Sequence, residues 1–167
     1  MDTFDRLVPA SILRAIEKVG GALSISSSAR RVKVLFVCTG NTCRSVLAEY
    51  LGQRFCGDDF AFESAGIRPQ RAADAENAMH ILKTTFGIDA SEHQPRDVRG
   101  LDLTRFDLVI AIENNAATVV RELGVPDSRL QVWTIRDPWG GDLTEYEETA
   151  LEIRKRLAKL RPAVSKE

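Results

Sequence analysis

Cysteine is scarce in this chain: three residues among 167, at positions 38, 43 and 56. An odd count, with two of the three only five positions apart, does not build a disulfide-stapled secreted fold and fits a reducing cytoplasm better. Long apolar runs are also missing, so no segment supplies the roughly twenty consecutive apolar residues that span a bilayer. The apolar stretch between Leu7 and Leu23 is broken by Arg14, Glu17 and Lys18, unlike the core of a secretion signal. Nor is there an excess of charge. A formal net charge of −1 gives no basic field pointing to nucleic acid. There is no internal repeat, and the one low-complexity tract is a short serine run at 24–28. The chain is long enough for one α/β domain with a core of its own.

Most of the chemical information lies between residues 32 and 51. The run Val32-Lys33-Val34-Leu35-Phe36-Val37 is apolar and β-branched, and predicts a strand. It is followed by Cys38-Thr39-Gly40-Asn41-Thr42-Cys43-Arg44-Ser45 and then by the helical pattern Val46-Leu47-Ala48-Glu49-Tyr50-Leu51. A strand that enters a tight loop and then a helix N-terminus aims successive backbone N–H groups at one point, which makes an anion site. Arg44 adds a planar fork for a phosphate-like dianion. Cys38, at the start of the loop, faces the helix N-terminus and that guanidinium, both of which favour a thiolate. A thiolate facing a bound tetrahedral oxyanion is the chemistry of a cysteine-dependent phosphatase that uses neither metal nor cofactor.

The segment resembles the signature loop of the low-molecular-weight protein tyrosine phosphatase family. The similarity extends over roughly 32–160. It includes Glu63-Ser64-Ala65-Gly66, the stretch Gly87-Ile88-Asp89-Ala90-Ser91-Glu92-His93, and Asp137-Pro138. Residues 1–31 lie outside it. They read as an extension with a short helix from Ser11 to Val19, stopped by Gly20-Gly21 and followed by the serine linker. The phosphatase-like domain is expected to cover 32–167.

The rest alternates between the two periodicities. Strands are expected at 32–37, 60–63, 108–112 and 130–135, and helices at 45–55, 73–86, 114–123 and 143–160, with a shorter one at 98–101. Gly87 and Gly124 stand where helix C-terminal glycines belong. This alternation predicts a three-layer α/β/α fold: a central parallel four-stranded sheet with helices on both faces and the phosphate-binding loop after the first strand. Ligands bind at the carboxyl ends of such strands, where the loops after Val37 and Ile135 meet.

Hydrolysis of a phosphate ester by a thiolate takes two steps, and the first needs a proton for the leaving group. Asp137 is the candidate acid, at the end of the strand-like run Val132-Trp133-Thr134-Ile135 and stiffened by Pro138. The family carries its general acid in this Asp-Pro pair. Ser45 is placed to donate a hydrogen bond to the Cys38 sulfur, and the same position suits a helix-start serine. Thr39, Gly40, Asn41, Thr42, Cys43, Arg44 and Ser45 would together bind the phosphate or another oxyanion. Asn41 and His93 resemble the family's loop-bracing pair, with Asn41 able to take a left-handed backbone and His93 reaching Asn41 and Ser45. In the family, a cysteine placed like Cys43 forms a reversible disulfide with the nucleophile and protects it from irreversible oxidation. The alternative for Cys43 is simple loop packing. Cys56 and His80 read as structural.

The family acts on phosphotyrosine, with a branch that prefers phosphoarginine. Two features resemble that branch. Thr42 stands where tyrosine-directed members often carry an apolar residue, and Asp137-Pro138 is followed by Trp139 alone and two glycines rather than by two aromatics. One aromatic stacks equally well on a phenol or a guanidinium. Ile67-Arg68-Pro69-Gln70 forms another wall of the cleft, without an aromatic. The implied partner is a phosphorylated protein, with no role for nucleic acid or membrane. The rival readings are an arsenate reductase of similar fold, a phosphate-carrying domain and a non-catalytic binding module. The first is disfavoured because no cysteine follows Cys56. The other two would not need Cys38, Arg44 and Asp137 together.

Overall fold

The computed structural model describes residues 30–162, so the expected N-terminal helix and serine linker lie outside the described residues. Four strands form one all-parallel sheet: β1 (Val32–Cys38), β2 (Phe60–Gly66), β3 (Leu108–Ala111) and β4 (Leu130–Val132), in the order β2-β1-β3-β4. The register pairs Cys38 with Gly66 and Val37 with Ala111, so the carboxyl ends of β2, β1 and β3 lie side by side. Among the described residues three helices connect them, α1 (Arg44–Phe55), α2 (Glu76–Phe86) and α3 (Asn114–Glu122), and a fourth, α4 (Leu143–Leu157), follows β4.

Alternation along β1 divides the core in two. Val34, Phe36 and Cys38 join Leu47, Leu51, Leu82 and Ile153 on the face covered by α1, α2 and α4. Leu35 and Val37 join Val109, Ala117 and Val120 on the face covered by α3. Both faces of a parallel sheet are thereby buried, and β1 from Val34 to Cys38 reads as a continuous apolar run. Helix ends follow local chemistry. Asp142 and Glu145 form a reciprocal capping box at the start of α4, and α2 ends on Gly87 at φ 68°.

The elements differ from expectation mainly at their ends. The fourth strand stops at Val132 rather than at residue 135, because β3 ends at Ala111 and leaves no ladder beyond the bond from Trp133 N–H to Ala111 C=O. Asp137 therefore sits on a loop rather than on a strand end. The second strand runs on to Gly66, held by the bond from Gly66 N–H to Arg96 C=O. The helix expected from residue 73 begins as a 3-10 turn at Ala72–Ala75, where Arg71 and Asp74 cap each other. The short helix near residue 98 is a 3-10 turn at Val98–Gly100, and α4 ends at Leu157, three residues early.

Candidate active site

The loop from Cys38 to Ser45 wraps around one point at the carboxyl end of β1. Asn41 takes φ 54°, the left-handed conformation that asparagine tolerates best after glycine. Cys43 caps α1 without a side-chain hydrogen bond, and no acidic residue occupies the helix's first turn, so the N–H groups there are left for an anion. The loop also packs tightly on its neighbour. A Cβ at Gly66 would stand 2.6 Å from the Thr39 carbonyl oxygen and 3.0 Å from the Asn41 nitrogen.

Behind the loop runs a chain of hydrogen bonds that ends on the sulfur. The Asn41 side-chain amide donates to Ser45 Oγ and to Ser64 Oγ, each at 2.9 Å, and its Oδ1 accepts the Arg96 N–H at 3.0 Å. Ser64 in turn donates to the Glu49 carboxylate. With its oxygen accepting from Asn41, Ser45 has its one proton free for Cys38 Sγ, 3.0 Å away. Burial pushes the Glu49 carboxyl up, against the Ser64 hydroxyl that lowers it. His93 Nε2 lies 2.8 Å from the Asn41 carbonyl oxygen. The expected reach of His93 to Ser45 is made instead by the Asn41 side chain. Burial holds the imidazole below its ordinary value, and a neutral ring whose Nε2–H donates to that carbonyl fits both facts.

Arg44 is almost wholly buried. Its Nη1 donates to the carbonyls of Ile112 (3.0 Å) and Ile135 (3.1 Å), and its Nη2 to Glu113 (3.2 Å) and Asp137 (3.0 Å). Arg44 Nε is the one buried side-chain nitrogen or oxygen without a hydrogen-bond partner among the described residues. An unmet buried donor costs about 1–3 kcal/mol, and an oxyanion in the loop is the partner that would meet it. Glu113 also accepts the Thr39 hydroxyl, so one carboxylate ties the start of the loop to its arginine. Glu113 has no part in the sequence-based set. The signal for it is topological: it is the first charged residue beyond the carboxyl end of β3, the strand beside β1.

In front of the loop is a cleft of about 140 Å³ whose walls include Cys38, Thr42, Arg44, Gln70, Asp137 and Trp139. Asp137 also accepts the Trp139 N–H at 3.1 Å, and Trp139 is half exposed. Asn41, Ser45 and His93 lie buried behind the cleft. Cys43 is buried too, and its sulfur lies 3.2 Å from Tyr146 Oη, a second residue outside the sequence-based set. Burial pushes the Cys43 thiol up to about 11, although the Tyr146 hydrogen bond pulls the other way. Cys56 is half buried at the end of α1, 3.8 Å from the Leu157 carbonyl, and His80 is exposed. Among the described residues no group of His, Cys, Asp and Glu is arranged to hold a metal ion, and no helix is long and apolar enough to cross a membrane.

Residues 33–167 match the family described as low molecular weight phosphotyrosine protein phosphatase. A protein named arsenate reductase from Halalkalibacterium halodurans is 34% identical over 131 residues, covering 74% of this chain and 91% of that one. A low molecular weight protein tyrosine phosphatase structure from T. tengcongensis superposes with a TM-score of 0.69 at 31% identity, over 77% of this chain and 96% of that one. The YwlE arginine phosphatase structure from Geobacillus stearothermophilus gives 0.64 at 25% identity, over 76% and 88%.

Proposed function

The chain belongs to the low molecular weight phosphotyrosine protein phosphatase family, and from that membership we propose that it removes phosphate from phosphotyrosine or phosphoarginine on proteins, through a phosphocysteine intermediate, in a reducing cytoplasm. The observation that carries this reading is the convergence of Cys38, Arg44 and Asp137 on one small cleft, with Arg44 and Asp137 joined at 3.0 Å across 93 positions.

The steps follow from the positions of the groups. The loop N–H groups and Arg44 hold the phosphoryl oxygens while the Cys38 thiolate attacks phosphorus. The bond from phosphorus to the leaving atom breaks as Asp137 supplies a proton to that atom. Ser45, with its proton free, stabilises the sulfur as a thiolate before attack and again as it leaves. Water then attacks phosphorus, Asp137 takes its proton, and inorganic phosphate and the thiolate are released. Trp139 offers a face to the substrate side chain, and Thr42 an oxygen beside it.

A second reading, arsenate reduction, is favoured by the name of the relative from Halalkalibacterium halodurans. Reducing arsenate to arsenite requires two electrons, which thiols supply by forming a disulfide. Here the reserve of thiols is small: no cysteine follows Cys56, which is packed against α4. Steady-state release of phosphate from an aryl phosphate, beside arsenate-dependent consumption of a dithiol by the same protein, separates the two. Phosphate release without dithiol consumption supports the phosphatase. The reverse result would replace it.

A further inference from the structure

Gln70 stands at the rim of the cleft and has no part in the steps above. It ends a segment that runs along the loop and is pinned to it by main-chain bonds. Ile67 N–H donates to Cys38 C=O (3.0 Å), Arg68 N–H to Thr39 C=O (2.9 Å) and Gln70 N–H to Gly40 C=O (3.0 Å). The Gln70 side chain lies over Gly40, using space that only glycine leaves: a Cβ there would be 3.0 Å from the Gln70 amide carbon and oxygen. From that position Gln70 Oε1 accepts the Thr42 hydroxyl at 3.2 Å.

A hydroxyl has one proton and two lone pairs. The Cys43 sulfur, 3.8 Å away, is the other atom within reach of that hydroxyl, and sulfur is the weaker acceptor. With its proton given to Gln70, Thr42 presents a lone pair to whatever enters the cleft. Such an oxygen suits an N–H. In a phosphorylated arginine, the group that carries the phosphoryl is a guanidinium rich in N–H donors. In a phosphorylated tyrosine it is an aryl oxygen with no hydrogen. We propose that Gln70 determines specificity: by taking the Thr42 proton it fixes Thr42 as an acceptor, and so selects side chains phosphorylated on nitrogen over aryl phosphates. This rests on the phosphatase reading and names its substrate class. Gln70 acts through Thr42 and is a positioning residue.

The test is the ratio of kcat/KM on matched phosphoarginine and phosphotyrosine peptides, with p-nitrophenyl phosphate turnover of the wild type measured beside it. Gln70→Leu should lower the ratio by about tenfold, the effect of one hydrogen bond to a charged group. Gln70→Glu keeps the acceptor oxygen and should hold the wild-type ratio. In a Thr42→Val background, which has no hydroxyl proton to direct, Gln70→Leu should change the ratio no further. An unchanged ratio in Gln70→Leu overturns the proposal, as does an equal loss on both peptides or a full effect in the Thr42→Val background. A wild type that turns over neither peptide nor p-nitrophenyl phosphate overturns the phosphatase reading as well. A wild type that turns them over while the ratio ignores Gln70 overturns the proposal alone.

Discussion

Asp137 Oδ2 and Arg44 Nη2 lie 3.0 Å apart, so the group assigned to protonate the leaving atom rests on the group assigned to bind the phosphate. The two tasks compete for one guanidinium. On the proposed reading, a dianion in the loop would draw Arg44 to itself and free Asp137, which is 45% exposed, to meet the leaving atom. Substrate binding would thereby assemble the acid arrangement.

Asp137→Ala should slow substrates with poor leaving groups far more than those with good ones. A phenolate of high basicity needs its proton in the transition state, an effect worth roughly 10²–10⁴-fold. The measurement is kcat/KM across a series of aryl phosphates. An equal loss along the series removes Asp137 from the role.

Cys38→Ser should abolish turnover and leave vanadate or phosphate binding largely intact, because the loop N–H groups and Arg44 are untouched. Turnover above about one per cent of wild type, less than 3 kcal/mol of barrier, would exclude Cys38 as the nucleophile.

Glu113→Ala removes the shared acceptor of Thr39 and Arg44. Leaving these donors short of a partner should cost about 1–3 kcal/mol. Thermal melting without ligand reads this directly, and a wild-type melting temperature would show that the clamp contributes nothing.

Mild peroxide should convert the protein reversibly to a Cys38–Cys43 disulfide. Cys43 attacks only as a thiolate, and its thiol is pushed up to about 11. The rate of closure should therefore rise about tenfold per pH unit between pH 7 and 10. The Tyr146 hydrogen bond lowers that value, so Tyr146→Phe raises it further and should slow closure, letting more Cys38 reach the sulfinic state. Peptide mapping of oxidised wild type and variant decides this. Sulfinic Cys38 beside free Cys43 in the wild type refutes the protective role.

His93 gives a pH signature. Its folded value lies below the ordinary one of about 6.5. Below that pH the unfolded chain takes up a proton that the folded chain refuses, so stability falls as pH drops from about 6.5 toward the folded value, and is unaffected by this group above it. Denaturant unfolding at several pH values should show a shallower acid slope in His93→Asn than in wild type. Identical slopes would mean that the ring charges freely in place.

Strand and helix identities were legible because β1 is apolar but for Lys33 and the helices carry 3.6-residue spacing, while strand ends depended on which neighbour remained to pair with. The nucleophile loop was legible because its parts are adjacent in the chain. Glu113, Tyr146 and the bond from Ser64 to Glu49 were not, since each meets its partner only through tertiary packing; Ser64 stood in the stretch Glu63-Ser64-Ala65-Gly66, with nothing there to name Glu49 as its partner. Gln70 was visible as part of a cleft wall. Its hold on Thr42 depends on main-chain bonds between segments about thirty residues apart, which no local pattern records.

The close fit of Gly66 against Thr39 sets two kinds of constraint side by side. Cys38 is constrained by what its sulfur does, whereas Gly66 is constrained by the methyl group it does not have. Any side chain at Gly66 must push on the Thr39 carbonyl, 2.6 Å from where its Cβ would stand, and so distort the cradle. The shape of the cradle thus depends on a residue with no reactive atom, whose empty side holds the outline of its neighbour.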